Sequence, residues 1–91
     1  MDIANIYVNV AIMNLSNLKD IDIFLQIINK YPSKFYLEHD NYRVNAKSVL
    51  GIMSLDLSND LKLICDCGTP ETEIIEVQTE LKNNNLCVKG E

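Results

Sequence analysis

Two hydrophobic periods take turns along this chain, and that exchange limits the fold more than any other feature. Ile6 to Met13 (IYVNVAIM) is β-branched and alternating, the period-two pattern of a half-buried strand. After the turn Asn14-Leu15-Ser16-Asn17, the residues Leu18, Ile21, Phe24, Leu25 and Ile28 recur at helical spacing through about Lys30. Asn17 with Asp20 three residues on makes a weak capping box. Pro32 stops that helix.

The exchange then repeats. Lys34 to His39 and Tyr42 to Asn45 are short strands around Asp40-Asn41, a tight hairpin. Apolar content alone leaves Lys47 to Leu55 open between strand and helix. Ser48 as a cap, with apolar residues at 49, 50, 52, 53 and 55, favours a short helix. Leu61 to Cys67 is a further strand. Pro70 in a first turn, acids at 71 and 73, and Ile74, Val77 and Leu81 mark a terminal helix that Asn83-Asn84-Asn85 ends. The order β-α-β-β-α-β-α implies an α+β open-faced sandwich, one sheet with its helices on one face.

Ninety-one residues, 47% hydrophobic and 23% charged, suit one domain spanning 1–91. No run approaches the ~20 apolar residues of a membrane span. The start Met1-Asp2-Ile3 lacks the basic and apolar regions of a signal peptide, so the expected location is the cytoplasm. Charge is uneven: the first fifty residues balance, and residues 51–91 carry the whole net charge of −5. No basic stripe interleaves with aromatics, which argues against direct binding of nucleic acid.

Cys65, Cys67 and Cys87 are an odd number, unlike a disulfide framework. Cys65 and Cys67 fall on one side of a strand and read as small core residues. The single histidine, His39, is far from them, so neither a metal site nor a cofactor is expected. His39 itself reads as a surface histidine.

Val44-Asn45-Ala46-Lys47-Ser48-Val49-Leu50-Gly51-Ile52-Met53-Ser54-Leu55 resembles the stretch around the regulatory serine of HPr, the histidine phosphocarrier of the bacterial sugar phosphotransferase system. Leu37-Glu38 and the strand from Leu61 extend the match, and the element order covers essentially the whole chain. The resemblance implies an antiparallel four-stranded sheet with three helices on one face. The family's other signature, Gly-Ile-His-Ala-Arg-Pro, is not kept. Its place reads Leu15-Ser16-Asn17-Leu18-Lys19-Asp20. Ungapped counting puts Asn17 at the phosphohistidine position, Lys19 at the arginine and Asp20 at the proline.

An imidazole nitrogen can accept and release a phosphoryl group, whereas the amide lone pair of Asn17 is delocalised and is not nucleophilic. The chain is therefore expected not to be an enzyme or a histidine phosphocarrier. It is similar in pattern to the catabolite-repression HPr-like proteins, which lack the histidine, keep the serine and bind a transcriptional regulator when that serine is phosphorylated. By that resemblance, Ser48 is a phosphorylation site and Lys47, Val49, Leu50, Ile52 and Met53 form the partner surface. Lys47 and Arg43 are close in sequence and able to screen the phosphate. The alternative is that Ser48 is only a helix cap and that Val49, Leu50, Ile52, Met53 and Leu55 are all core. Ile23 and Ile27, which widen the first helix's apolar stripe, read as core edge. The expected partner is a protein, a transcriptional regulator or a serine kinase, with the chain a monomer or weak homodimer. Two other readings stand beside this one: a phosphocarrier using another residue such as His39, and a scaffold whose serine is never modified.

Overall fold

Seven elements fill a computed structural model of the chain, which describes residues 6–88. They are β1 (Tyr7–Met13), α1 (Leu18–Ile28), β2 (Phe35–His39), β3 (Tyr42–Asn45), α2 (Val49–Met53), β4 (Leu61–Asp66) and α3 (Glu71–Asn83). The strands form one antiparallel sheet in the order β1-β4-β2-β3. Three helices cover it, as expected. The Met1-Asp2-Ile3 start lies outside the described residues. Among the described residues, no helix is long and apolar enough to cross a membrane.

Strand alternation divides the sheet into two faces. Met13, Phe35, Leu37, Leu61, Leu63 and Cys65 point to the core, where they meet Ile21, Phe24 and Ile28 of α1 and Val77 and Leu81 of α3. The spacing of those helical residues follows the 3.6 period. Ile27 joins the core and Ile23 packs against its edge. Tyr7, Tyr36, Glu38, Arg43 and Ile64 occupy the other face by register. That face is not bare. The Tyr7 and Tyr36 rings meet edge to face at 5.7 Å, and the Arg43 guanidinium lies 4.1 Å from the Tyr7 ring centre while bonding Glu38. Arg43 and Tyr7 thus meet across the sheet from opposite edge strands. Ile64, in the register row between Tyr36 and Asn9, is only 3% exposed.

Side chains close the irregular points. β1 carries a bulge between Asn9 and Ala11, and the Val10 carbonyl there accepts from Gln78 Nε2 on α3 at 2.8 Å. The hairpin turns at Asp40 (φ 54°) and the end of α3 at Asn85 (φ 58°), both residue types that tolerate the left-handed region. Past that turn, Leu86 is buried, Cys87 pairs with Met13, and the Val88 N–H donates to the Ile12 carbonyl at 2.9 Å. A buried acid, Glu73, accepts from the Ser33 N–H at 3.1 Å and ties α3 to the α1–β2 connection.

Three expectations are corrected. β4 ends at Asp66, so Cys67 lies outside the strand and is exposed, while Cys65 is a core residue. α2 stops at Met53, capped by Ser54, and Leu55 reaches the core from the following turn. α1 ends at Ile28 with Asn29 as its cap, before Pro32 is reached.

Candidate functional site

Asn17 has extended backbone (φ −154°, ψ 173°), and its side-chain oxygen accepts from the Asp20 N–H at 2.9 Å. The reciprocal bond of a capping box goes to Ser16: the Asp20 carboxylate accepts from the Ser16 N–H at 3.2 Å and its hydroxyl at 3.0 Å. Asn17 therefore satisfies an orphan donor of the first turn, the role its residue type suggested. Leu18 and Lys19 beside it are exposed.

Ser48 does the same for α2. Its backbone is extended (φ −99°, ψ 117°), and Oγ accepts from the Gly51 N–H at 3.0 Å. Gly51 lets this helix lie close to the sheet. A Cβ there would stand 3.2 Å from the Val44 Cβ and 3.3 Å from Ser48. That approach decides which way the short helix faces. Ile52 is 0% exposed and belongs to the core, whereas Leu50 is 84% exposed and Val49 and Met53 are about half exposed. Ile52 therefore drops out of the expected partner surface, because the side of α2 that meets the sheet is the side it occupies.

The two cations expected around Ser48 are engaged elsewhere. Lys47 Nζ donates to the carbonyls of Tyr31 and of Ser33, the latter at 2.9 Å, and closes the connection after α1. Arg43 is on the opposite face of the sheet, bonded through Nη2 to Glu38 at 2.9 Å and through Nε at 3.2 Å. Nearby, Glu80 of α3 accepts from the Lys30 ammonium and the Tyr31 hydroxyl. Those bonds, from Lys30 first and Tyr31 second, hold the Glu80 carboxyl below its ordinary range. Burial first and Glu80 second push the Tyr31 hydroxyl up to about 12.

At the C-terminal end of α2 the structure adds a residue not expected from the sequence. The Tyr42 hydroxyl and Ser54 Oγ lie 3.3 Å apart, with Tyr42 exposed beside the end of the helix. An aromatic residue opening an edge strand was the only signal for it. His39 is partly buried, with Nε2 3.4 Å from Asp40 Oδ2. Among the described residues, no group of three or more His, Cys, Asp or Glu side chains is arranged to hold a metal ion.

The open-faced α+β sandwich is the fold seen in solved HPr structures. Residues 17–81 match the family model described as PTS HPr component phosphorylation site, and the chain belongs to that HPr family. It is 41% identical over 56 residues to the HPr-like protein Crh of Bacillus subtilis (strain 168), covering 59% of this chain and 65% of that protein. The Crh of Halalkalibacterium halodurans is 38% identical over 56 residues, covering 59% and 66%. The matched segment thus spans about two thirds of the length of these curated relatives or slightly less. The crystal structure of HPr-C-His from Thermoanaerobacter tengcongensis superposes with a TM-score of 0.62 at 28% identity, covering 90% of this chain and 93% of that one.

Proposed function

We propose that this chain is a single-domain, cytoplasmic HPr-like regulator that docks a protein partner through the exposed side of α2, is switched by phosphorylation of Ser48, and carries no phosphate on histidine. The observation that carries the reading is the pairing of Ser48, the cap of α2, with Val49, Leu50 and Met53 exposed on the same helix. Apolar side chains held outward on a short, anchored helix are what a docking surface needs, and Met adds adaptability. Asn17 supports the loss of carrier chemistry, since a carboxamide lacks a nucleophilic lone pair and this one is occupied in capping.

A phosphate on Ser48 adds roughly −1.5 to −2 charge and strong acceptor oxygens. The phosphate could still accept from the Gly51 N–H that Oγ now holds. With Lys47 on two carbonyls and Arg43 on Glu38, the new charge finds no ready partner on those side chains. It is therefore displayed to a partner rather than neutralised within the fold. The test is incubation with an HPr serine kinase and ATP. Intact-mass analysis should show one added phosphate on the wild type and none on Ser48→Ala. Absence of incorporation into the wild type removes the switch.

A further inference from the structure

His39, the single histidine of the chain, stands where three segments meet. It ends β2 on the face that Phe35 and Leu37 turn to the core, and 29% of its side chain is exposed. It lines an open cavity of about 300 Å³ together with Asp40 of the hairpin turn, Asp60 and Leu61 at the start of β4, and Glu38 and Lys62. The cavity joins the end of the sheet to the β2–β3 turn and to the loop of residues 54–60, which links α2 to β4.

The charges around the imidazole are unequal. Glu38 of β2 and Lys62 of β4 are register partners of opposite sign and offset one another. On β3 the cross-strand neighbour is Tyr42, whose hydroxyl lies 3.3 Å from Ser54 Oγ at the head of the loop. Three carboxylates are left, and no further cation lines the cavity among the described residues. Asp40 Oδ2 is 3.4 Å from His39 Nε2, and Asp60 shares the cavity. Asp56 is fixed by the Ser58 hydroxyl at 2.6 Å and N–H at 3.1 Å. The hydroxyl first, then the N–H, and then a protonated His39 hold the Asp56 carboxyl below its usual range. Histidine gains its positive charge between about pH 8 and 5, where carboxylates stay ionised. A neutral imidazole leaves the three acids to repel one another. An imidazolium gives them a common counter-ion, and the cavity leaves room for the loop to approach it.

We propose that His39 is a proton-operated tie between the β2–β3 turn and the loop of residues 54–60. In mild acid the imidazole takes a proton from solvent, Asp56 and Asp60 draw towards it, and the loop settles against the hairpin. The C-terminal end of α2, capped by Ser54 at the head of that loop, is held more firmly as a result. The device is separate from Ser48 and from whatever α2 binds.

The test is a series of NMR spectra of the full unphosphorylated chain between about pH 8 and 5.5. In the wild type, the amides of Asp40 and of residues 54–60 should move in step with the ring protons of His39. His39→Gln keeps the polarity without the charge and should abolish that movement. Asp56→Asn/Asp60→Asn should leave the ring protons titrating while the loop amides move less than half as far. Unchanged amides of Phe24, Leu63 and Val77 would certify that each variant folds. Loop amides that stay still in the wild type while the ring protons titrate would overturn the proposal. Equal movement in His39→Gln would trace the change to other groups and would overturn it as well. Undiminished movement in the double aspartate variant would show that these acids are not what the imidazolium draws, with the same result.

Discussion

The Lys47 ammonium donates to the Ser33 carbonyl at 2.9 Å, so the cation next to Ser48 in sequence is directed to the end of α1 and not to the serine. A lysine in this position acts as a clasp. It gathers the Tyr31 and Ser33 carbonyls, while the Ser33 N–H is held by Glu73 from α3. Replacing Lys47 with Ala leaves two part-buried carbonyls to water. Hydrogen bonds to charged groups are worth about 1.5–3 kcal/mol when well buried, and partial exposure reduces that to about 1 kcal/mol here. Equilibrium urea unfolding should show the drop. An unchanged midpoint would mean that the clasp contributes nothing.

Ser48→Ala removes a helix cap and should destabilise the fold by about 1 kcal/mol. Ser48→Asp keeps an acceptor for the Gly51 N–H and should stay within about 0.5 kcal/mol of the wild type. Thermal melts of the two variants separate capping from any regulatory role. Equal losses in both would show that the Gly51 bond is not what matters.

Two neighbouring residues of α2 should respond in opposite ways. Ile52→Ala opens a cavity in the core and is expected to cost about 2–4 kcal/mol. Leu50→Ala removes a side chain that is already in solvent and should stay within about 0.5 kcal/mol. A large loss at Leu50 in chemical denaturation would contradict the orientation of the helix.

Gln78→Leu leaves the Val10 carbonyl at the β1 bulge without its donor. A loss of about 1–2 kcal/mol is expected for an unsatisfied, partly buried acceptor. Faster amide exchange around Val10 should accompany it, and unchanged exchange there would count against the bond.

Stability should also depend on pH through Glu80 and Tyr31. Glu80 has a folded pKa depressed by Lys30 and then Tyr31, so its contribution is present above the ordinary carboxylate value, about 4.3, and is lost as pH falls through the folded one. Tyr31 is raised to about 12. Its contribution is full below about pH 10 and declines as pH climbs towards the folded value. Glu80→Gln should flatten the acid limb of the stability profile and Tyr31→Phe the alkaline limb. Profiles parallel to the wild type would remove this cluster as the cause.

Element order and the two capped helix starts were legible in the residues because each depends on neighbours a few positions away. Asn17 and Ser48 bond N–H groups three residues on, and Tyr42 to Asn45 alone formed a strand of the expected bounds. The orientation of α2 was not legible. Five consecutive residues with apolar groups on every side present no preferred face until β3 packs against Gly51 and selects Ile52 for the core. Lys47 and Arg43 were misread for a related reason. Their partners lie on other elements or on main-chain carbonyls, which carry no side-chain signature. Cys67 looked like its strand neighbour Cys65 because alternation does not say where a strand stops.

The clip of Leu86 to Val88 against β1 has a consequence for how the polypeptide assembles during synthesis. Among the described residues, the sheet neighbours of β1 are β4 and that later segment. Until the residues through 66 are made, the apolar run of Tyr7 to Met13 has no native strand to join among the described residues, and the contacts of its outer edge follow only with residues 86–88. Among the described strands, β1 therefore waits on the most distant stretch of later chain for its pairing, whereas the β2–β3 hairpin closes locally.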